Sequence, residues 1–264
     1  MPNAPPLSGA RARRITRQPD LYRDRESQPH RGPDSAVIPL RDELPVRGTP
    51  YGNYTLIGLC VLAFLWQLSL GEAGGQRIVY ALGMIPSVLL RDAELPPEIG
   101  AVPALLTLLT SMFLHGGFMH LAGNMLYLWI FGDNIEEAMG HGNYLLFYVI
   151  CGGVAALSQA YPDPNSLIPM IGASGAISGV LGAYLMLFPH TRILTLVPLG
   201  FFTRLMHVKA VWVLLLWFAI QLVSNLAGRG GGVAFSAHIG GFVAGVVLVG
   251  LFKQRSVPFG FSRR

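Results

Sequence analysis

Charge is what this chain of 264 residues has least of: Asp, Glu, Lys and Arg together make up 12%, where a soluble globular chain carries about 25%. So little polar surface could not dissolve a fold with 52% hydrophobic residues and a mean hydropathy of +0.48. A soluble protein is excluded, and an integral membrane protein is expected. Cysteine is scarce too. Cys60 and Cys151 both lie inside apolar runs, so no disulfide framework is implied. The first 50 residues contain no continuous apolar stretch, which argues against a signal peptide. Metal-binding patterns are missing: there is no H-E-x-x-H, no helix carrying two His four apart, and no carboxylate beside His120 or His238.

What is present divides into a tail and a bundle. Residues 1–50 hold nine arginines and six acids, many prolines and no periodic apolar face, and read as a largely disordered tail. Its end, Ile38 to Arg47, mixes apolar and charged residues and is expected along the membrane surface. Residues 51–252 contain six runs suited to transmembrane helices: Tyr51–Gly71, Gly117–Gly132, Asn143–Tyr161, Gly172–Pro189, Ala210–Gly228 and Val233–Phe252. The second and fourth are short. Residues 253–264 form a basic tail. The expected fold class is therefore an all-α polytopic membrane protein with six transmembrane helices. The unusually apolar loop from Glu72 to about Gly116 is expected to sink into the outer interface.

With the sides numbered alternately, one holds sixteen Lys and Arg and the other three (Arg77, Arg91, Arg229). Basic loops stay inside, so both termini are expected in the cytoplasm. The net charge of +5 is then a topology signal and an anionic-lipid contact, and needs no nucleic acid. Length and the lack of a transit peptide point to a prokaryotic inner membrane.

Three helices run from outside to inside, and each begins with polar groups that a bilayer penalises. The second span carries His120 and Asn124, four apart and so on one face. The fourth opens with Gly172-Ala173-Ser174-Gly175, and the sixth with Ala237-His238-Ile239-Gly240-Gly241. Topology alone brings a serine, a histidine and a His/Asn pair to one depth. Together these residue types suit acyl transfer: His activates the Ser hydroxyl, and amide, imidazole and backbone N–H groups stabilise the oxyanion. Ser174 at a helix N-terminus also gains from the macrodipole. The sixth span has no acid, so a Ser174–His238 dyad is the economical reading, with a loop acid such as Asp163 left open.

Each motif alone has a plainer reading. Gly175, Gly179 and Gly182 with Ala237, Gly241 and Gly245 form small-xxx-small faces that let helices approach. A single intramembrane His can be a hydrogen bonder inside a bundle, and the Met, Phe and Trp residues, including Trp129, Trp212 and Trp217, read as lipid-facing or packing groups. His115 reads as an interfacial or loop-anchoring residue, while His30, His141, His190 and His207 fall in the tail or on the inner side.

At these residues the chain resembles a rhomboid intramembrane serine protease. The motifs are His120-x-x-x-Asn124, Gly172-Ala173-Ser174-Gly175, Ala237-His238-Ile239-Gly240-Gly241 and Gly132-x-x-x-Glu136-x-x-x-Gly140, and the resemblance covers roughly Ile38 to Phe252. It implies a rhomboid-like bundle with a membrane-embedded first loop, Ser174 as nucleophile and His238 as base. His120, Asn124 and the Ser174 N–H would form the oxyanion hole, with His115 near the cavity mouth and Gly172, Ala173, Gly175 and Ser178 lining the site. The substrates implied are transmembrane segments of other proteins, cut near the outer face, with entry from the lipid between the second and fifth helices and no cofactor or metal. Leu106-Thr107 stands where some members have a Trp-Arg pair. Ser178 stands where some have an aromatic residue stacked on the base. The rivals are a non-catalytic rhomboid-like protein that binds membrane clients and a small transporter.

Overall fold

In the computed structural model, which describes residues 38–100, 102–199, 202–227 and 234–261, the first element is a strand, Ile38–Asp42 (β1). Tyr51–Ser69 (α1) follows. The first loop folds into Gly71–Leu82 (α2), Pro86–Arg91 (α3) and the single turn Thr107–Thr110 (α4). Phe118–Tyr127 (α5) and Asp133–Met139 (α6) are joined through a π-turn at Leu128–Gly132. His141–Ala160 (α7) and Ser174–Leu187 (α8) come next. A hairpin of Arg192–Leu199 (β2) and Phe202–Lys209 (β3) then leads to Ala210–Leu226 (α9) and Phe235–Phe252 (α10). The tail through residue 37 with His30, the position Arg229 and the last three residues lie outside the described residues.

By length and composition α1, α7 and α10 can each cross a bilayer. Ala104–Phe113 and Phe118–Met139, bent by 84°, make a fourth crossing if they count as one span, and α8 and α9 are shorter apolar helices. The second span runs past its expected end at Gly132, because the π-turn carries the helix on to Met139. A π-turn frees a carbonyl from the helical ladder; here the Asn53 amide donates to Leu128 O at 2.9 Å.

The all-α expectation needs correcting at the end of the bundle expected to lie inside, where β1, β2 and β3 form an antiparallel sheet in that order. Charge marked residues 190–209 as an inner loop, but Ile193, Leu194, Thr195, Leu196 and Val197 are the apolar and β-branched types that a half-buried sheet favours. Ile193 and Thr195 are fully buried against the bundle and pair with Val208 and Met206. β1 adds to β2 through Ile38↔Leu196 and Asp42↔Ile193, with an irregularity at Leu40. Residues 38–50 therefore pack on the bundle: Glu43 N–H donates to Arg192 O at 3.1 Å, and Arg47 N–H to Glu137 Oε2 at 3.1 Å.

Two carboxylates, Glu136 buried and Asp42 half-buried, anchor this end. Glu136 accepts from Gly52 N–H at 2.7 Å and Asn53 N–H at 2.6 Å, and also contacts His141 Nδ1. A carboxylate on those two amides satisfies orphan donors in the first turn of α1 and complements its dipole. The Asp42 carboxylate accepts from Tyr184 Oη at 2.7 Å and Asn134 Nδ2 at 2.8 Å, tying β1 to α8. Burial raises its pKa above the ordinary value, and the Tyr184 hydroxyl opposes that shift.

α8 is the axis of the bundle: twelve of its fourteen residues are buried. A helix that is apolar on all sides is stable only when enclosed, and α7 and α10 enclose it. The small-residue faces work as the sequence suggests. A Cβ on Gly245 would collide with Gly179 O, and one on Gly241 with Gly175 O. Backbone therefore packs directly on backbone between α8 and α10.

The first loop is less superficial than expected. Met84 and Met170 exchange backbone hydrogen bonds of 3.1 and 2.8 Å. Met84 is buried with Ala156 and Ala160 of α7, whereas Leu105 and Leu106 near α4 are exposed. One side of the loop packs on protein, and the other presents apolar groups outward.

Candidate active site

Ser174 starts α8 because the chain before it cannot be helical. Gly172 has φ +122°, a region that residues with a side chain rarely adopt, and its N–H donates to Ser111 O at 2.9 Å. The backbone over residues 168–173 is non-helical. A Cβ on Gly172 would lie 2.8 Å from Cε1 and Nε2 of His120 and 3.8 Å from Asn124 Nδ2. The imidazole and amide thus face the turn that delivers Ser174, and only glycine leaves room for them.

His238, near the start of α10, reaches the serine. Its Nε2 lies 2.9 Å from Ser174 Oγ, and its Nδ1 lies 2.8 Å from Gln221 Oε1 on α9. Both Ser174 and His238 are half-buried, and Gln221 is buried. The Gln159 side chain of α7 accepts from Ala237 N–H at 3.3 Å, holding the turn that carries His238. Nδ1 is occupied by the glutamine, and Asp163 is exposed on the loop before α8, so no acid completes a triad here.

The second helix supplies donors. Gly116 N–H points at His120 Nδ1 over 3.4 Å, which makes Nδ1 an acceptor and leaves the ring proton on Nε2, on the edge of the ring that faces Gly172. Asn124 Nδ2 is buried with no partner among the described residues. Orphan buried donors are rare, and one beside a serine invites a functional explanation.

Of the two expectations for His115, interfacial or loop-anchoring, its burial and bonds fit the second. Its N–H donates to Gln67 Oε1 at 3.0 Å, Gln67 Nε2 returns a 3.3 Å bond to His115 O, and its Nδ1 meets Phe113 O at 3.2 Å. Its Nε2 has no partner, and its ring lies edge-on to His120 at 5.2 Å. An amide on α1 can reciprocally satisfy loop backbone that the bilayer would penalise. Ala173 is fully buried, and Gly175 packs against Ala155. The three histidines expected on the inner side lie elsewhere: His141 with Glu136, His190 beside Phe261, and His207 3.3 Å from Glu43.

Two residues went unrecognised in the sequence. Gln221 is one. The other is Trp217, which lies against His238 as well as packing: its ring centroid lies 5.8 Å from that of His238, tilted 38°, and 6.1 Å from Phe242. Ser178 leaves room for no aromatic on its own helix; its hydroxyl turns back to donate to Ser174 O at 2.6 Å. The ring beside His238 comes from α9 instead. The available signal was the i, i+4 spacing of Trp217 and Gln221, which puts both on one face of the fifth span.

Residues 103–255, more than half of the chain, match the Rhomboid domain. The chain belongs to the rhomboid family. It is 29% identical over 246 residues to Rhomboid protein 1, mitochondrial, of Saccharomyces cerevisiae, covering 82% of this chain and 68% of that protein. Rhomboid protease GluP of Bacillus subtilis is 31% identical over 199 residues, 75% of this chain and 34% of its own, so this rhomboid spans about a third of that relative. Rhomboid protease GlpG of Haemophilus influenzae is 28% identical over 198 residues, covering 74% and 88%. Relatives named mitochondrial and chloroplastic occur beside bacterial ones, so similarity does not assign this rhomboid to one compartment.

Proposed function

We propose that this rhomboid is an intramembrane serine endopeptidase acting through a Ser174–His238 dyad on transmembrane segments of other proteins. The observation that carries the reading is the 2.9 Å contact between Ser174 Oγ and His238 Nε2, made by helices that begin at the same end of the bundle.

In the first step Nε2 takes the hydroxyl proton as Ser174 Oγ bonds to the scissile carbonyl carbon. The charge on the resulting oxyanion meets His120 Nε2–H, the Asn124 amide and the Ser174 N–H at the positive end of α8. His238 then passes the proton to the leaving amine as the C–N bond breaks, giving an acyl-enzyme. Water repeats the sequence in reverse and frees Ser174.

Six crossings with both termini on the Lys- and Arg-rich side accommodate this chemistry. The fourteen residues of α8 rise about 21 Å against about 30 Å of hydrocarbon. With its C-terminus at the inner boundary, Ser174 sits beneath the outer one. Non-helical backbone at that depth is tolerable where it is packed in protein or lines a wet cavity, and residues 168–173 bonded to Met84 and Ser111 are such a case. Substrate enters laterally between α5 and α9.

The test is cleavage of a transmembrane reporter by purified protein, together with labelling by a fluorophosphonate probe. Wild type cuts and is labelled at Ser174; Ser174→Ala does neither. Undiminished cutting by the alanine variant would refute the proposal. A client-binding protein or a transporter would show no stoichiometric labelling of Ser174.

A further inference from the structure

Serine hydrolases that pair Ser with His usually orient the imidazole with a third group, and the dyad reading leaves that role vacant. Resting on that reading, we infer that Gln221 is the positioning residue of the base: its amide oxygen fixes the orientation and tautomer of His238 from the fifth span.

The geometry is specific. Gln221 Oε1 lies 2.8 Å from His238 Nδ1, within the range of a good hydrogen bond. An amide oxygen can only accept, so the ring proton sits on Nδ1 and the lone pair on Nε2, the nitrogen 2.9 Å from Ser174 Oγ. The opposite tautomer would present an N–H to the serine and could not take its proton. When Nε2 gains that proton, Nδ1–H keeps its acceptor, so the bond strengthens as the imidazolium forms. The facing titratable group is the His120 imidazole. A neutral oxygen thus holds the ring where an acid does in other serine enzymes, without burying a carboxylate in hydrocarbon.

Burial supports a dedicated role. α9 buries Ala210, Val213, Leu214 and Gln221, while Leu216, Ile220, Leu222 and Val223 around it are exposed and apolar. Gln221 is thus the single polar side chain among the buried residues of α9, and its oxygen points at the base. Trp217, one turn earlier, covers the same ring.

The experiment compares Gln221→Leu, Gln221→Met and Gln221→Glu with wild type in purified full-length protein, reading reporter kcat and KM, the rate of fluorophosphonate labelling of Ser174, and the melting temperature. Leu and Met are expected to lower kcat and the labelling rate on the order of 10- to 100-fold, with KM and melting little changed. Glu, which keeps an acceptor oxygen, is expected to restore both rates to within about threefold of wild type. Wild-type labelling in the folded Leu and Met variants overturns the positioning role, and so does an equal loss in Glu. Absence of labelling in wild type would sink the protease reading itself, a result scored without any Gln221 variant.

Discussion

The two ends of α8 solve opposite problems with similar residue types. At the end where α8 finishes, polar groups are paired: Glu136 with two amides of α1, Asn53 with Leu128 O and the Tyr144 hydroxyl, and Asp42 with Tyr184 and Asn134. At the end where α8 starts, Asn124 Nδ2 and His115 Nε2 are buried without partners among the described residues, and Ser174 and His238 are only half-buried. A satisfied polar network in low dielectric rigidifies a fold, whereas an unsatisfied donor stays available for a charge that appears during reaction. The paired end keeps the bundle together so that the end bearing Ser174 can remain incomplete.

Substitutions that separate chemistry from stability sharpen this contrast. The largest effect is expected at Ser174→Ala or His238→Ala, where reporter cleavage falls by roughly a thousandfold or more because members of such a pair act as a unit. Melting in detergent stays near wild type. Asn124→Ala removes the unpartnered donor and is expected to cost on the order of 100-fold in kcat, again with little change in melting; a loss of melting without loss of kcat would break the contrast. Glu136→Ala should do the reverse, leaving the α1 amides unpaired and lowering stability by about 3 kcal/mol, with activity falling only as the folded fraction falls.

The smallest effect concerns pH at the inner end. The folded pKa of Asp42 lies above its unfolded value of 3.8, so folding favours the protonated form. Its contribution is complete below that unfolded value and declines as pH rises through the folded one. Asp42→Asn is expected to flatten this slope in melting temperature just above pH 3.8 while leaving neutral-pH stability within about 1 kcal/mol. An unchanged slope would show that another group sets it.

The Ser174, His238, His120 and Asn124 cluster was legible because membrane topology is written in the charge pattern. Helices that run the same way bring their first turns to the same depth, whatever their order in the chain. The helix boundaries fell within a few residues of expectation except at Gly132, where a π-turn obeys no hydrophobic period. The sheet was missed because Arg192, Arg204 and Lys209 marked the inner side and drew attention from the apolar and β-branched run between them. A lone glutamine in an apolar span is ambiguous by itself. Gln221 acquires meaning only through the 2.8 Å that separates it from a ring on another helix.

Composition and the placement of apolar runs were enough to determine a helical membrane bundle and the end of it at which the polar residues gather, because transfer into hydrocarbon penalises each residue by its own chemistry. Tertiary structure alone decided which nitrogen of His238 faces the serine, which helix lends it an aromatic neighbour, and how the chain before the first span joins the fold. Those are matters of distance and direction between separate segments, and no single stretch of sequence carries them.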